Sequence, residues 1–334
     1  MQAAEGSGRR RFLIGAAASL TAPAVFARSP RPRLAIRVAS NQGVENAALQ
    51  QLMLDRGYLR DLSLDTAIVE SRSISGPLEA LVAGQADVCM VSGFVGVLPA
   101  IEKGEAVRLI GAAMLLPALA VYTTRSDIRR VEHLVGKTVG VGATNGLLHL
   151  MMLALLRKKG VDPRGLRFVN AGSNAQVLDA VVAGTVDAGP SGPAGLSNGA
   201  VRVLDDGRLW RELPEYTYQP AYASVQAIQE KAEALARCLA AYARLYRYLS
   251  GPSSRSAYLD ARRRAANEPS TAEGEAVWKF IQQQRPYALD PGISPRRVAY
   301  LQALNVAAGL QSKILPFDQV ADLTPARLAR RILA

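Results

Sequence analysis

Histidine and cysteine are the scarcest chemistry-bearing residues in this 334-residue chain, with two of each. Cys89 and Cys238 stand far apart and show no C-x-x-C or related spacing, and His133 and His149 are too few for a His-rich metal site or a proton relay. No metal and no cofactor are therefore expected. Aromatic residues make up only 6% of the chain, with no stripe in which they interleave with basic residues, which argues against a nucleic-acid surface. Beyond the first residues no apolar run is long enough for a transmembrane helix, and no tract has a low-complexity composition. Cys89 sits in an apolar run and reads as a small packed hydrophobe; a disulfide to Cys238 stays open as the alternative.

What is present is 49% hydrophobic and 20% charged residues, enough for a large core and better suited to two α/β lobes than to one small domain. The net charge is +12. Such a balance attracts nucleic acid, membrane surfaces or anionic solutes. Yet the arginines are scattered, and only "ARRRAAN" and "RLARRILA" cluster outside the first residues, so a solvated basic surface is the simpler reading.

The stretch "GRRRFLIGAAASLTAPAVFARSP" has a basic start, an apolar middle and a small-residue end. Arg9-Arg10-Arg11-Phe12-Leu13 fits the R-R-x-F-L pattern of twin-arginine export signals. Val25-Phe26-Ala27 suits cleavage after Ala27. Residues 1–27 are read as an export signal, and the mature chain is expected to begin near Arg28, soluble and outside the cytoplasm.

The mature chain alternates strand and helix patterns. "LAIRVAS" and "LSLDTAIVE" read as strands around the helical "NQGVENAALQQLMLDRGYL". "SISGPLEALVAG" reads as a helix with Ser75 as its cap and Pro77 in its first turn. "DVCMVSG" is an apolar run of the kind buried in a parallel sheet, followed by the helix "VGVLPAIEKG" and the strand "AVRLIGAAML". The pattern then restarts: "LAVYTT", the turn-rich helix "SDIRRVEHLVG", "KTVGVGATNG", the strong helix "LLHLMMLALLRKKG", "LRFVNAG", "SNAQVLDAVVAG", "TVDAGPSG" and "AVRVLDD". After about residue 220 the chain turns helical, beginning with the long "IQEKAEALARCLAAYARLYRYLSG". Strands alternating with helices argue βαβ units. One element occurs twice: "LEALVAGQAD" from Leu78 and "LDAVVAGTVD" from Leu178. Each places an Asp, Asp87 or Asp187, just before a short buried strand. These aspartates read as turn residues bonding nearby backbone N–H groups. In an open α/β sheet, ligands bind outside the carboxyl ends of the strands, so the small polar loops after each copy, Ser92–Gly93 and Pro190–Ser191, are candidate binding residues.

Other strand ends supply more. Ser40 and Asn41 close the first strand and open the first helix. Thr144, Asn145 and Gly146 open the "LLHLMML" helix, where free N–H groups favour an electronegative group. Ser173 and Asn174 open the helix before the second copy. For all of these, helix capping is the alternative to ligand contact.

Together "VASNQG", "EALVAGQADVCMVSG", "LVGKTVGVGATNG", "LDAVVAGTVDAGPSGP", "ISPRRVAYLQALNVAAGL" and "LPFDQVADLTPARLARRIL" resemble, over nearly all of 33–334, the periplasmic solute-binding proteins of ABC importers for nitrate, sulfonates, taurine and thiamine-pyrimidine precursors. The resemblance implies a two-lobed periplasmic-binding-protein fold of type II, α/β, each lobe a mostly parallel sheet flanked by helices, the lobes joined by two crossing strands. The crossings fall near "AAMLLPALAVYTT" and "YTYQPAYASVQAI". That puts residues 28–116 in one lobe, 117–220 in the other, and 221–334 in a return to the first with the C-terminal helices. Tyr218 and Tyr222 lie by the second crossing, as cleft walls or as hinge packing. The implied role is a non-enzymatic, monomeric binding protein that hands a small anionic or heteroaromatic solute to a membrane permease. The alternative is an enzyme on the same fold, of the pyrimidine-precursor or menaquinone-pathway type. His149 alone speaks for that, and inside its helix it reads as a packed residue.

If the twin-arginine reading is right, replacing Arg9, Arg10 and Arg11 with lysine traps the precursor inside the cell, measured by fractionation and immunoblotting. Unchanged export would rule out that pathway and leave general secretion.

Overall fold

The computed structural model describes residues 32–91, 94–267 and 272–334. Residues 1–27, read above as an export signal, the expected start at Arg28, and Ser92 and Gly93 lie outside the described residues. β1 (Leu34–Asn41) alternates as its sequence suggests, turning Ile36 and Val38 into the core. The helix Val44–Asp55 covers it with Ala48, Leu49, Leu52 and Met53. β2 (Leu64–Ser71), β3 (Val88–Cys89) and β4 (Val107–Met114) follow, each after a helical segment. The chain then enters a second sheet through β5 (Ala120–Thr123), β6 (Thr138–Val141), β7 (Arg167–Asn170), β8 (Gly189–Ser191) and β9 (Arg202–Arg208), and returns to the first as β10 (Gln219–Ser224).

The two sheets have the same plan. The first runs β2-β1-β3-β10-β4, with β10 antiparallel to β3 and β4 and β1 parallel to β2 and β3. In the second, β8-β5-β9 pair antiparallel and β6-β7 pair parallel. A parallel bridge from Val139 to Ala188 ties β6 to the start of β8, giving the order β7-β6-β8-β5-β9. In each sheet the one strand running against the rest is the one entered on crossing from the other sheet.

The repeated sequence element builds the same joint in both. At the end of the helix Gly76–Val82, Gly84 takes φ +67°, and Gln85 and Ala86 donate N–H back to the Ala80 carbonyl. At the end of Asn174–Val182, Gly184 takes φ +70°, and Thr185 and Val186 donate to the Ala180 carbonyl. Glycine enters this left-handed conformation without the penalty a Cβ brings. The Asp87 N–H then donates to the Arg37 carbonyl (2.9 Å), and its carboxylate accepts the Arg37 N–H (2.8 Å). Asp187 does the same with Thr138, at 2.8 Å in both directions. The two aspartates do bond backbone N–H groups, but on the adjacent strand rather than within their own turn. Each also meets a cation that follows a crossing strand: Lys231 after β10 (2.9 Å) and Arg125 after β5 (3.1 Å).

Several elements differ from expectation. Ser75 occupies the helix start but makes no capping bond; its hydroxyl pairs with that of Ser73 at 2.8 Å. The region "SDIRRVEHLVG" holds only a short 3-10 turn, Val131–Leu134. The long helix is interrupted at Lys231 (φ −127°), between Val225–Glu230 and Ala232–Leu249, because Lys231 turns its ammonium to Asp87. "ARRRAAN" belongs to a further helix, Arg255–Ala266, and is not wholly a solvated patch. Arg262 is buried there and binds Glu45 (2.7 Å) and Glu273 (3.0 Å), while the buried Tyr258 hydroxyl donates to Glu45 at 2.6 Å. Cys89 and Cys238 are both free and buried.

Burial alone would raise the Asp87 carboxyl pKa, but hydrogen bonds from Arg37 and Lys231 outweigh it and hold it below the ordinary value. A carboxylate depressed in the folded state contributes stability above its unfolded pKa of about 4 and loses it as pH falls through the folded value. Asp87→Ala should therefore cost about 1–3 kcal/mol at pH 7. In urea melts at stepped pH, the gap to the parent protein should narrow below about pH 4. A gap independent of pH would show that the carboxylate charge contributes nothing.

Candidate functional site

The carboxyl ends of β6, β7 and β8 meet around Asn174. A Cβ on Gly142, after β6, would lie 3.1 Å from the Gly172 carbonyl after β7, so these two loops touch. Ser173 caps the Asn174–Val182 helix in a reciprocal capping box with Gln176; its hydroxyl is thereby engaged by the backbone. The Ser191 hydroxyl, buried at the end of β8, donates to the Asn174 carbonyl at 2.7 Å. The Asn174 side chain hydrogen-bonds the Tyr218 phenol, which burial pushes up to about 12 and which therefore stays neutral. Asn174 thus joins two strand ends to the second crossing. One residue on, Gln219 Nε2 donates to the Val91 carbonyl at the end of the β3 segment (3.4 Å), linking the crossing to the first sheet. On the first crossing side, the Tyr122 hydroxyl donates to the Gly192 carbonyl after β8 (2.9 Å).

On the first sheet, Ser40 is buried at the end of β1 with its hydroxyl on the Asn41 carbonyl (3.2 Å). The Asn41 amide donates to the Ser73 carbonyl, and Asn46 donates to the Asn41 carbonyl at 3.0 Å. The loop after β2, with Ser71, Ser73 and Ser75, therefore belongs to the same edge. Its sequence, "SRSIS", is a run of small hydroxyl residues at a strand end, which was the signal available. Gln219 carried no such signal, because only the crossing of the two lobes brings it near Val91.

Thr144 and Asn145 are exposed, and Gly146 stands at the cap position of the helix Leu147–Lys158 with no side-chain capping bond. Capping by Thr144 is thus not what this loop does. Instead the His149 Nδ1 accepts the Asn145 N–H (3.0 Å), while its ring stands edge-on to Phe168 with centroids 4.7 Å apart. Burial lowers the His149 pKa, so the neutral ring positions the loop. Asn145 takes φ +62°, a left-handed conformation that Asn tolerates better than most residues. Pro190 is buried in β8 opposite Val121. Of the two readings open for Tyr222, its position is that of hinge packing: it is fully buried in β10 opposite Cys89. It packs the sheet and forms no cleft wall, because the register of β10 turns it into the core. Among the described residues, no group of three or more His, Cys, Asp or Glu is placed to hold a metal ion, and no helix is long and apolar enough to cross a membrane.

With this geometry in place, comparison with known proteins is informative. A family model described as NMT1/THI5 like matches residues 52–251, more than half of the chain. The chain belongs to the NMT1/THI5 like family. No curated protein sequence matches it. Its structure is similar to the periplasmic aliphatic sulphonate binding protein SsuA of Escherichia coli, with 20% identity and a TM-score of 0.69, covering 86% of this chain and 92% of that one. It is also similar to the alkanesulfonate-binding protein SsuA of Xanthomonas axonopodis pv. citri bound to MOPS, with 20% identity and a TM-score of 0.66, covering 88% and 98%. The desulfurization enzyme DSZB is similar at 14% identity and a TM-score of 0.64, covering 90% and 100%. At these identities the likeness is one of fold, and the fold is the two-lobed periplasmic-binding-protein fold.

In this NMT1/THI5 like chain, the backbone at Asn145 decides how its loop is tested. Asn145→Val should lower stability by about 1–2 kcal/mol, since the left-handed conformation penalises a β-branched residue. Asn145→Gly should stay within a few tenths of parent stability. Chemical denaturation of both variants checks this, and equal stability of the two would mean the loop relaxes out of that conformation.

Proposed function

We propose that this chain is the extracytoplasmic solute-binding subunit of an ABC importer. It captures a small anionic or heteroaromatic solute between two lobes, acts as a monomer and passes its cargo to a membrane permease. In this reading residues 28–116 and 221–334 make one lobe and 117–220 the other, with pivots at 115–119 and 213–218. The observation that carries it is the meeting of uncharged polar strand ends on Asn174 and the second crossing, in a chain of this family and fold. The SsuA proteins that share the fold are by name sulfonate-binding, which supports placing sulfonates first among candidate solutes. Export of the chain through the twin-arginine route is part of the same proposal.

The enzymatic alternative has less support. Both cysteines are fully buried, and burial pushes the Cys238 thiol up to about 12, so neither is poised as a nucleophilic thiolate. The His149 Nδ1 is already engaged by the Asn145 N–H.

A thermal-shift panel of aliphatic sulfonates, nitrate, pyrimidines and aromatic acids tests the reading. A solute at one hundred times its Kd should stabilise the native state by about 2.7 kcal/mol, several degrees in Tm. Asn174→Ala should then weaken that solute about three- to tenfold, the worth of one hydrogen bond. Small-angle scattering should show a smaller radius of gyration when the solute is bound, as lobes close by a hinge. A panel with no stabilising member, or one in which every stabilising solute is indifferent to Asn174→Ala, would defeat the proposal.

A further inference from the structure

A groove of about 550 Å³ lies at the carboxyl-terminal end of the helix Leu147–Lys158, the end opposite the Asn145 loop. One wall is the helix Leu147–Lys158, which presents Ala154, Arg157 and Lys158; the other is the helix Pro295–Ala307, which presents Tyr300, Ala303 and Leu304. The floor is Glu212 to Glu215, the start of the second crossing. The walls hang from different sheets. The first follows β6, whereas the second is tied to the first sheet's side: Arg297 donates to the Leu115 carbonyl after β4 (3.0 Å), and Ser312, just beyond the helix, donates to Glu102.

The charges in this groove are unevenly matched. Glu212 is met by Lys158 (3.2 Å) and Lys159 (3.0 Å), and Glu215 by Arg296 (3.0 Å). Both carboxylates are thus neutralised by lysine and arginine. The Arg157 guanidinium is exposed and makes no ion pair or hydrogen bond among the described residues. The rest of the lining is largely apolar: Ala154 and Leu213 are buried, Leu304 is half-buried, and the half-buried Tyr300 adds a ring. The lining continues past Leu304 into a narrower recess bounded by Phe94, Leu150, Tyr216 and Leu301. A volume of this size falls in the range of small-molecule sites, which combine a mostly apolar lining with a few polar groups that fix orientation. An unmatched guanidinium is the group best suited to grip a carboxylate or sulfonate in two-point fashion.

We propose that this groove is a second binding site, distinct from the inter-lobe strand ends, for a small aromatic acid. The anionic group sits on Arg157, and the ring lies against Leu213, Tyr300 and Leu304.

The test titrates the purified full chain with 4-phenylbutyrate and with its neutral amide, followed by saturation-transfer NMR. The acid should bind saturably and the amide about tenfold more weakly, the worth of a charge-assisted hydrogen bond. Arg157→Gln should weaken the acid about tenfold and leave the amide unchanged. Ala303→Trp, at an exposed position that can accept the larger ring without refolding the core, should abolish binding of both, with unchanged circular dichroism and Tm. Asn174→Ala should leave all of these affinities as they were. Absence of saturable binding would overturn the proposal, and so would binding indifferent to Arg157→Gln and Ala303→Trp. Acid binding lost in Asn174→Ala but kept in the groove variants would place the acid in the inter-lobe cleft and equally overturn it. None of these failures touches the importer proposal, which is judged on the strand-end solute.

Discussion

A carboxylate that spans two parallel strands, buried at Asp87 and half-buried at Asp187, is the joint on which both sheets depend. Asp87 and Asp187 each give an N–H to a neighbouring strand and take one back through the side chain. That two-point grip sets the register between β1 and β3, and between β6 and β8, where the strands themselves are too short to set it alone. β3 has two residues and β8 three. A ladder of that length leaves few backbone bonds to resist slippage, and a one-residue slip would turn every core side chain to the wrong face. The desolvation of Asp87 is offset by the hydrogen bonds it accepts from Arg37 and Lys231.

The cation that each aspartate meets beyond a crossing strand explains the mechanics. Arg125 follows β5 and Lys231 follows β10, and these are the two strands that have crossed from the other sheet. Each crossing strand is therefore clamped at its far end, to the aspartate of the sheet it enters. The crossing segments at 115–119 and 213–218 lie outside these clamps, as the proposed closure requires of its pivots. The clamps sit at the entry to β3 and β8, whereas the polar loops leave from the opposite ends of β1, β6, β7 and β8. Rigidity is concentrated at one edge of each sheet, and the small polar residues occupy the other, where they are free to be chosen for a ligand.

Much of this was legible because it rests on local chemistry that recurs. The shared Leu, Ala, Gly and Asp positions of the two copies encode a helix end, a left-handed turn and a strand entry, and each of those steps needs its residue type. What was not legible depended on partners distant in sequence. Lys231 looks like one more helix residue until Asp87, 144 positions away, draws it out of the helix. Arg262 looks solvated until Glu45, 217 positions away, folds against it. Tyr222 and Tyr218 are four residues apart and look alike. Strand register sends one into the core beside Cys89, while the other sits just ahead of the strand, where Asn174 can reach its hydroxyl. The conformation of Asn145 was hidden for a different reason, since Thr-Asn-Gly before a helix is compatible with several caps, and only His149 below it selects the left-handed one.

The strand-end residues themselves point to a division of labour in electrostatics. Ser40, Asn41, Asn145, Asn174 and Ser191 carry no charge, yet the whole chain carries +12. A diffuse positive field raises the encounter rate of an anionic solute without holding it, and screening confines its reach to about 10 Å in salt. In the proposed binding protein, holding then falls to neutral donors. Micromolar affinity needs only about −8 kcal/mol, which a few such hydrogen bonds and modest burial can supply. A buried ion pair in the cleft would hold the anion more strongly but would also have to be desolvated on closing and broken on delivery. In the importer proposed above, a neutral cleft inside a positive surface separates capture from retention, so that release to a permease does not have to work against the charge that attracted the solute.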